Sequence, residues 1–317
     1  MSNDLAHKNL TESLAALSSN AYFSPLTMLG LLRIEGKDAQ AFLQGQFTND
    51  IKQVGYQKSR WGSCCTTEGR MIANFLIWQQ ENSYYLVMSC DLINPFIQAL
   101  KKYQLRSKVV FDNLSHYFTL VGMGFLSARR FLKNFVALDA SYQINHFSEI
   151  TYIYLPGQTL IASMPNPIFQ QHRLAMQAMA PFIDPVYWQL TQIQSGIPWI
   201  NSHTTEAFLP QMANMDGLGA ISLTKGCYKG QEVVARTHYL GQVKRHLYHI
   251  KSNAVLTEGE LLKAKGNPMG QIIAICPTGR ATYEALAVIK DEAWRHQTTW
   301  VLPDKTLQKM ALFSHPT

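Results

Sequence analysis

The chain has 317 residues, of which 47% are hydrophobic, and its 28 Lys and Arg against 21 Asp and Glu leave a net charge of +7. This length and apolar share support a large buried core in more than one domain and place the chain among globular proteins. The moderate positive balance favours anionic partners (nucleic acid, phosphorylated metabolites or polycarboxylates) without choosing among them, and 5 cysteines, with Cys64 and Cys65 adjacent and Cys90, Cys227 and Cys276 far apart, do not read as a disulfide framework.

The N-terminal stretch "MSNDLAHKNLTESLAALSSNAYFS" carries acids and lacks the apolar core of a secretion signal, and no later run reaches membrane-spanning length. A cytoplasmic protein with reduced thiols and no membrane association is therefore expected. A short strand and turn are predicted over Leu26 to Gly36, then a helix in "KDAQAFLQGQFTNDI", where Ala39, Phe42, Leu43 and Phe47 recur at helical spacing. Between Trp61 and Met88 the β-branched and aromatic residues read as a meander around turns at Thr67-Glu68-Gly69 and Glu81-Asn82-Ser83. A helix from near Asp91, with Phe96, Ile97, Leu100 and Tyr103, leads into a strand in "RSKVVFDNLS".

The segment "YFTLVGMGFLSARRFLKNFVALD" reads as a strand passing into an amphipathic helix through a turn at Gly122-Met123-Gly124. Ser127 stands where a dinucleotide fingerprint needs its third glycine, so no nucleotide site is assigned there. Strand and helix signals follow in "ITYIYLPGQTLIASM" and "QHRLAMQAMAPF", and a further helix opens in the proline-flanked "IDPVYWQLTQIQSGIPWI". From about Val243 short β-like runs separated by Gly, Pro and Asn predict a small C-terminal β-domain.

HExxH, CxxC, GxSxG and GxxxxGK[ST] are all absent, which removes the usual sequence support for zinc, serine-hydrolase and P-loop chemistry; no metal ligands are assigned. His246 and His249 have helical spacing in a strand-like run, which puts them on opposite faces. The stretch "LTKGCYKGQEVVARTHYLGQVKRH" is more specific. Gly226 and Gly230 permit a tight loop displaying Lys225, Cys227, Tyr228 and Lys229. A thiol flanked by two lysines is stabilised as thiolate and becomes reactive; equally, Cys227 is a small turn residue, since cysteines are often buried and inert. Lys225, Lys229, Arg236, Lys244 and Arg245, interleaved with Tyr228, His238 and Tyr239, suit RNA or a polyglutamylated ring cofactor, and suit a solvated basic surface as well.

Taken in order, "AFLQGQFTNDI", "TTEGRMIANF", "LRSKV", "GIPWI" and "FLPQMANMDGLGAISLTKGCYKGQEVVARTHYLGQVKR" resemble the YgfZ-type folate-binding proteins, relatives of the aminomethyltransferase (T-protein) of the glycine cleavage system. The resemblance runs from about Leu26 to Ile289 and is most specific around "KGCYKGQE". It implies an α+β fold of three domains in a ring around a tetrahydrofolate-binding channel. The first comprises residues 1–50 with 118–204, the second 51–117 with 205–242, and a C-terminal β-barrel covers 243–317. It also implies support of iron–sulfur enzymes, including those that thiolate tRNA, so that any tRNA link is indirect.

By the same resemblance Cys227 is the functional cysteine and Trp188 an indole platform for the folate ring; beside them the charged and aromatic loop assigns Lys225 to the chemistry and Tyr228, Lys229, Gln231, Glu232 and Arg236 to the cofactor. A second family tryptophan is matched here by Leu29, which cannot stack. The loop that supplies a pterin-holding acid in aminomethyltransferases is matched by "TYIYLPGQTLIA", without a carboxylate. Asp91 stands near their catalytic aspartate, and an N-cap accounts for it equally well. Two alternatives accompany folate-dependent iron–sulfur support: one-carbon transfer to tetrahydrofolate, and a non-catalytic tRNA-binding module.

Overall fold

A computed structural model describes residues 2–132, 141–239, 243–264, 267–294, 299–302 and 305–313. In chain order, helix α1 (Ser2–Ser18) precedes β1 (Phe23–Pro25), β2 (Leu29–Glu35), α2 (Ala39–Gln46), β3 (Arg60–Cys65), β4 (Met71–Gln80) and β5 (Ser83–Ser89). Then come α3 (Ile93–Gln104), β6 (Val110–Asn113), β7 (Phe118–Gly124), α4 (Phe125–Phe131), β8 (Ile144–Phe147), β9 (Ile150–Leu155), β10 (Thr159–Pro165), α5 (Asn166–Met179), α6 (Pro185–Gln194) and α7 (Gln231–Tyr239). The C-terminal part is β11 (Arg245–Ser252), β12 (Leu261–Ala264), β13 (Asn267–Pro277), β14 (Tyr283–Lys290), β15 (Thr299–Val301) and β16 (Thr306–Phe313).

The strands form three antiparallel sheets, ordered β1-β7-β10-β9-β8, β3-β4-β5-β2-β6 and β12-β13-β14-β11-β16-β15. The fold is thus α+β, with a C-terminal sheet curled into a half-barrel whose edge strands are β12 and β15. β2 pairs with β5 and β6 in the second sheet, whereas a division at residue 50 groups it with the first. Gly122 and Gly124 lie inside β7 rather than in a turn, because Leu26 and the Trp188 indole press on Gly122 and the Asn20 carbonyl presses on Gly124, leaving no space for a side chain at either. The helix expected after them is described as Phe125–Phe131; its continuation over 133–140 lies outside the described residues.

β4 is buried along most of its length because both faces of the second sheet are covered. In α3, Ile93, Phe96, Ile97 and Leu100 make one apolar stripe that packs beneath that sheet beside Phe47 and Phe75. α6 starts at Pro185, with the Asp184 carboxylate accepting the Val186 N–H at 2.9 Å as its cap. It packs on β13 and β14, so one continuous core runs from the second sheet through α6 into the third. No helix among the described residues is long and apolar enough to cross a membrane.

Candidate functional site

Between the second sheet, α6 and the turn that leads into the third sheet a cavity of about 260 Å³ opens, lined by Met28 and Leu29 at the start of β2, Ser89 at the end of β5, the first turn of α6, Trp199 and Asn201, and Glu258. Register explains why these residues meet. Leu29 pairs with Ser89, so both lie in one row across the second sheet. Asn74, on the neighbouring strand, is fully buried and clamps the segment behind the cavity: its Nδ2 donates to the Pro198 carbonyl at 2.8 Å and its Oδ1 accepts the Ile200 N–H at 2.8 Å. Trp199 is held between those two bonds, against Trp61 with ring centroids 4.8 Å apart. Its Nε1–H is buried and has no acceptor among the described residues.

Glu258 enters from the turn before β12. Its oxygens accept Gln189 Nε2 at 2.9 Å and Asn201 Nδ2 at 2.7 Å, which ties the third sheet to α6 and to the Trp199 segment. Behind Ser89 stands Asp91, which caps no helix: its carboxylate accepts the Ser89 hydroxyl at 2.7 Å and the Ser202 N–H at 2.9 Å. Burial pushes the Asp91 pKa up, but the bonds from Ser202 and Ser89 outweigh it and hold the group below the usual carboxylate range.

Trp188 does not line this cavity. It is fully buried, with its indole against Gly122 and Leu26, so it presents no face for stacking. Leu29 does line the wall. Sequence reasoning missed Trp199, Asn201, Gln189, Ser89, Asn74 and Glu258. Only "GIPWI" gave a signal for Trp199, while Glu258 sits in "TEGE", which reads as an ordinary surface turn.

The "KGCYKGQE" loop lies at the same end of the second sheet, on its β3 side. β2 and β3 are separated by β5 and β4, so loop and cavity stand roughly three strand spacings apart, or about 14 Å. Gly230 has φ +80°, and a side chain there would strike the Thr66 carbonyl. Gly226 faces open space and needs no left-handed backbone, so only the second glycine is required by the turn. Cys227 is exposed.

The two lysines are directed away from the expected pairing with the thiol. Lys225 is buried, donates to the Phe47 and Asn49 carbonyls at 2.8 Å each, and lies 5.1 Å from the Tyr228 ring centroid. Burial lowers its pKa to about 8, and Asp50 partly opposes the shift. The Lys229 ammonium sits over Tyr103, 4.5 Å from the ring centroid. Neither lysine hydrogen-bonds Cys227 among the described residues.

Tyr228 is buried with its phenol pKa raised by burial, and Gln231 Oε1 accepts the Tyr228 N–H at 3.4 Å. Glu232 and Arg236 are exposed on α7. The basic stripe expected from Lys225 to Arg245 is therefore interrupted, since two of its members face inward and residues 240–242 lie outside the described residues.

Residues 3–164 match the family model described as the GCVT N-terminal domain. The chain is 31% identical over 242 residues to the tRNA-modifying protein YgfZ of Hamiltonella defensa subsp. Acyrthosiphon pisum (strain 5AT), covering 71% of this chain and 68% of that protein. It is 29% identical over 282 residues to the protein of the same name from Vibrio vulnificus (strain CMCP6), covering 89% and 84%. Among solved structures it is similar to the glycine cleavage system aminomethyltransferase T from Bartonella henselae, with TM-score 0.72 and 11% identity over 94% of this chain and 88% of that one.

Proposed function

This chain belongs to the YgfZ family, and we infer from that membership and from the cavity that it binds a tetrahydrofolate-type cofactor and acts in tRNA modification. The observation that carries the reading is the cavity itself, with apolar walls from Met28, Leu29, Pro185, Val186 and Trp199 and a small set of polar groups at their edge. Such a mixture suits a flat heterocycle that needs both stacking area and hydrogen bonds. At about 260 Å³ the space matches a pterin head rather than a whole folate, so the aminobenzoyl-glutamate part extends outward. Lys229 and Arg236, at the same end of the second sheet, are the cations assigned to that anionic tail.

When bound, the cofactor supplies a one-carbon carrier; the protein's residues bind it, orient it and exclude water. Cys227, exposed on a loop at the same end of the second sheet about three strand spacings from the cavity, is the group assigned to act on a client protein, and iron–sulfur enzymes that thiolate tRNA are the proposed clients. Lys225 serves that thiol by pinning the loop to the Phe47–Asn49 backbone. A second reading, one-carbon transfer onto tetrahydrofolate, is favoured by Asp91, an acid kept ionised directly behind the cavity wall.

The test is a titration of the full-length protein with 5-formyltetrahydrofolate, followed by heat and by Trp fluorescence, for wild type, Trp199→Phe and Cys227→Ala. Saturable binding that weakens in Trp199→Phe and persists in Cys227→Ala is expected. A folded wild type that takes up no folate removes the cofactor from this reading.

A further inference from the structure

The cavity lining contains two carboxylates, Asp184 and Glu258, and no Lys, Arg or His. In a chain of net charge +7 this local reversal excludes an anionic group as the occupant, which would meet acids without compensating charge. Asp184 is already engaged as the cap of α6. Glu258 is held differently: one amide N–H reaches each oxygen, from Gln189 on α6 and from Asn201, and each oxygen retains a further lone pair.

Those two amides fix the plane of the carboxylate, and the turn that carries it is pinned. Gly259, at φ +79°, closes against His203, its N–H donates to the Ile272 carbonyl at 2.9 Å, and the Glu260 N–H donates to the Thr257 carbonyl at 3.1 Å. A second, independent feature points to a ligand. Trp61, Trp78, Trp188, Trp199 and Trp294 all carry a buried Nε1–H without an acceptor among the described residues, but of these only Trp199, 8% exposed, lines the cavity, where a ligand can supply the acceptor.

We propose that Glu258 recognises the head group of the ligand by accepting two adjacent N–H donors from one edge of a planar heterocycle, while Trp199 donates to an acceptor on the same ring. The proposal rests on the folate reading above, and it names the edge that is read: the 2-amino group and N3–H of a 2-amino-4-oxopteridine. Two parallel charge-assisted bonds to one carboxylate are both strong and directional, so the site discriminates against a ring that lacks the 2-amino donor.

The experiment uses the full-length protein with 5-formyltetrahydrofolate as the titrant. Pterin and lumazine, the latter with an oxygen in place of the 2-amino group, serve as competitors for wild type and Glu258→Gln. Wild type should prefer pterin by roughly tenfold or more, and Glu258→Gln should lose that preference and bind 5-formyltetrahydrofolate about ten- to a hundredfold more weakly. A Glu258→Gln protein with wild-type affinity and preference overturns the proposal. So does a wild type that binds the folate without preferring pterin, a result that involves no variant and leaves the folate reading standing. Wild type that binds no folate overturns the folate reading, and this proposal with it.

Discussion

The two glycines of the Cys227 loop make unequal demands. Gly230→Ala forces a left-handed backbone on an alanine, costing about 1–2 kcal/mol, and drives its Cβ toward the Thr66 carbonyl as well. Gly226→Ala meets nothing and should stay within about 0.5 kcal/mol of wild type in urea denaturation. Lys225 gives a pH signature. Its pKa falls from 10.5 to about 8 on folding, so between those values the unfolded chain binds more protons than the folded one and stability rises with pH. Wild type should therefore gain stability relative to Lys225→Met as pH increases from about 8 toward 10.5, measured by denaturant midpoints across that range.

Among the elements, the segment from Gly196 to Ile200 depends most on a single side chain. Asn74→Ala leaves the Pro198 carbonyl and the Ile200 N–H unpaired in a buried position, at a cost of about 1–3 kcal/mol for each. Thermal unfolding should show that loss, and Trp199, released from its seat, should bring a weaker response to folate in the same preparation.

Most of the elements were legible in the sequence, because β2, the meander from β3 to β5, α3, α6 and the C-terminal strands follow apolar periodicity and turn residues. The site was less so. Trp188 reads as a platform from its resemblance alone, yet its burial depends on Gly122 in β7, distant in sequence. The orientation of Lys225 depends on carbonyls almost two hundred residues upstream, and the place of Glu258 on amides from α6 and its following segment. Long-range partners of this kind leave no local periodicity to read.

At the scale of the whole molecule, a half-buried His249–Glu284 contact joins β11 to β14 within the third sheet, and Gln194 ties it to α6. His249 Nε2 lies 2.8 Å from Glu284 Oε2, and Gln194 of α6 donates to the same oxygen. The hydrogen bond from His249 holds the Glu284 pKa below its ordinary 4.5. A depressed carboxylate contributes stability that is present above the unfolded pKa and lost as pH falls through the folded one. Glu284→Gln should cost about 1.5–3 kcal/mol near neutrality, and the difference from wild type should shrink in unfolding curves taken below pH 4.5.

The cavity takes its walls from β2 and β5, from α6 and from the turn before β12, so no contiguous fragment of the chain contains it. Its occupant is therefore a witness to complete assembly. A molecule held there at a concentration a hundred times its Kd adds about 2.7 kcal/mol to the cohesion of the second sheet, α6 and the third sheet together, and slower proteolysis at sites far from the ligand would register its arrival.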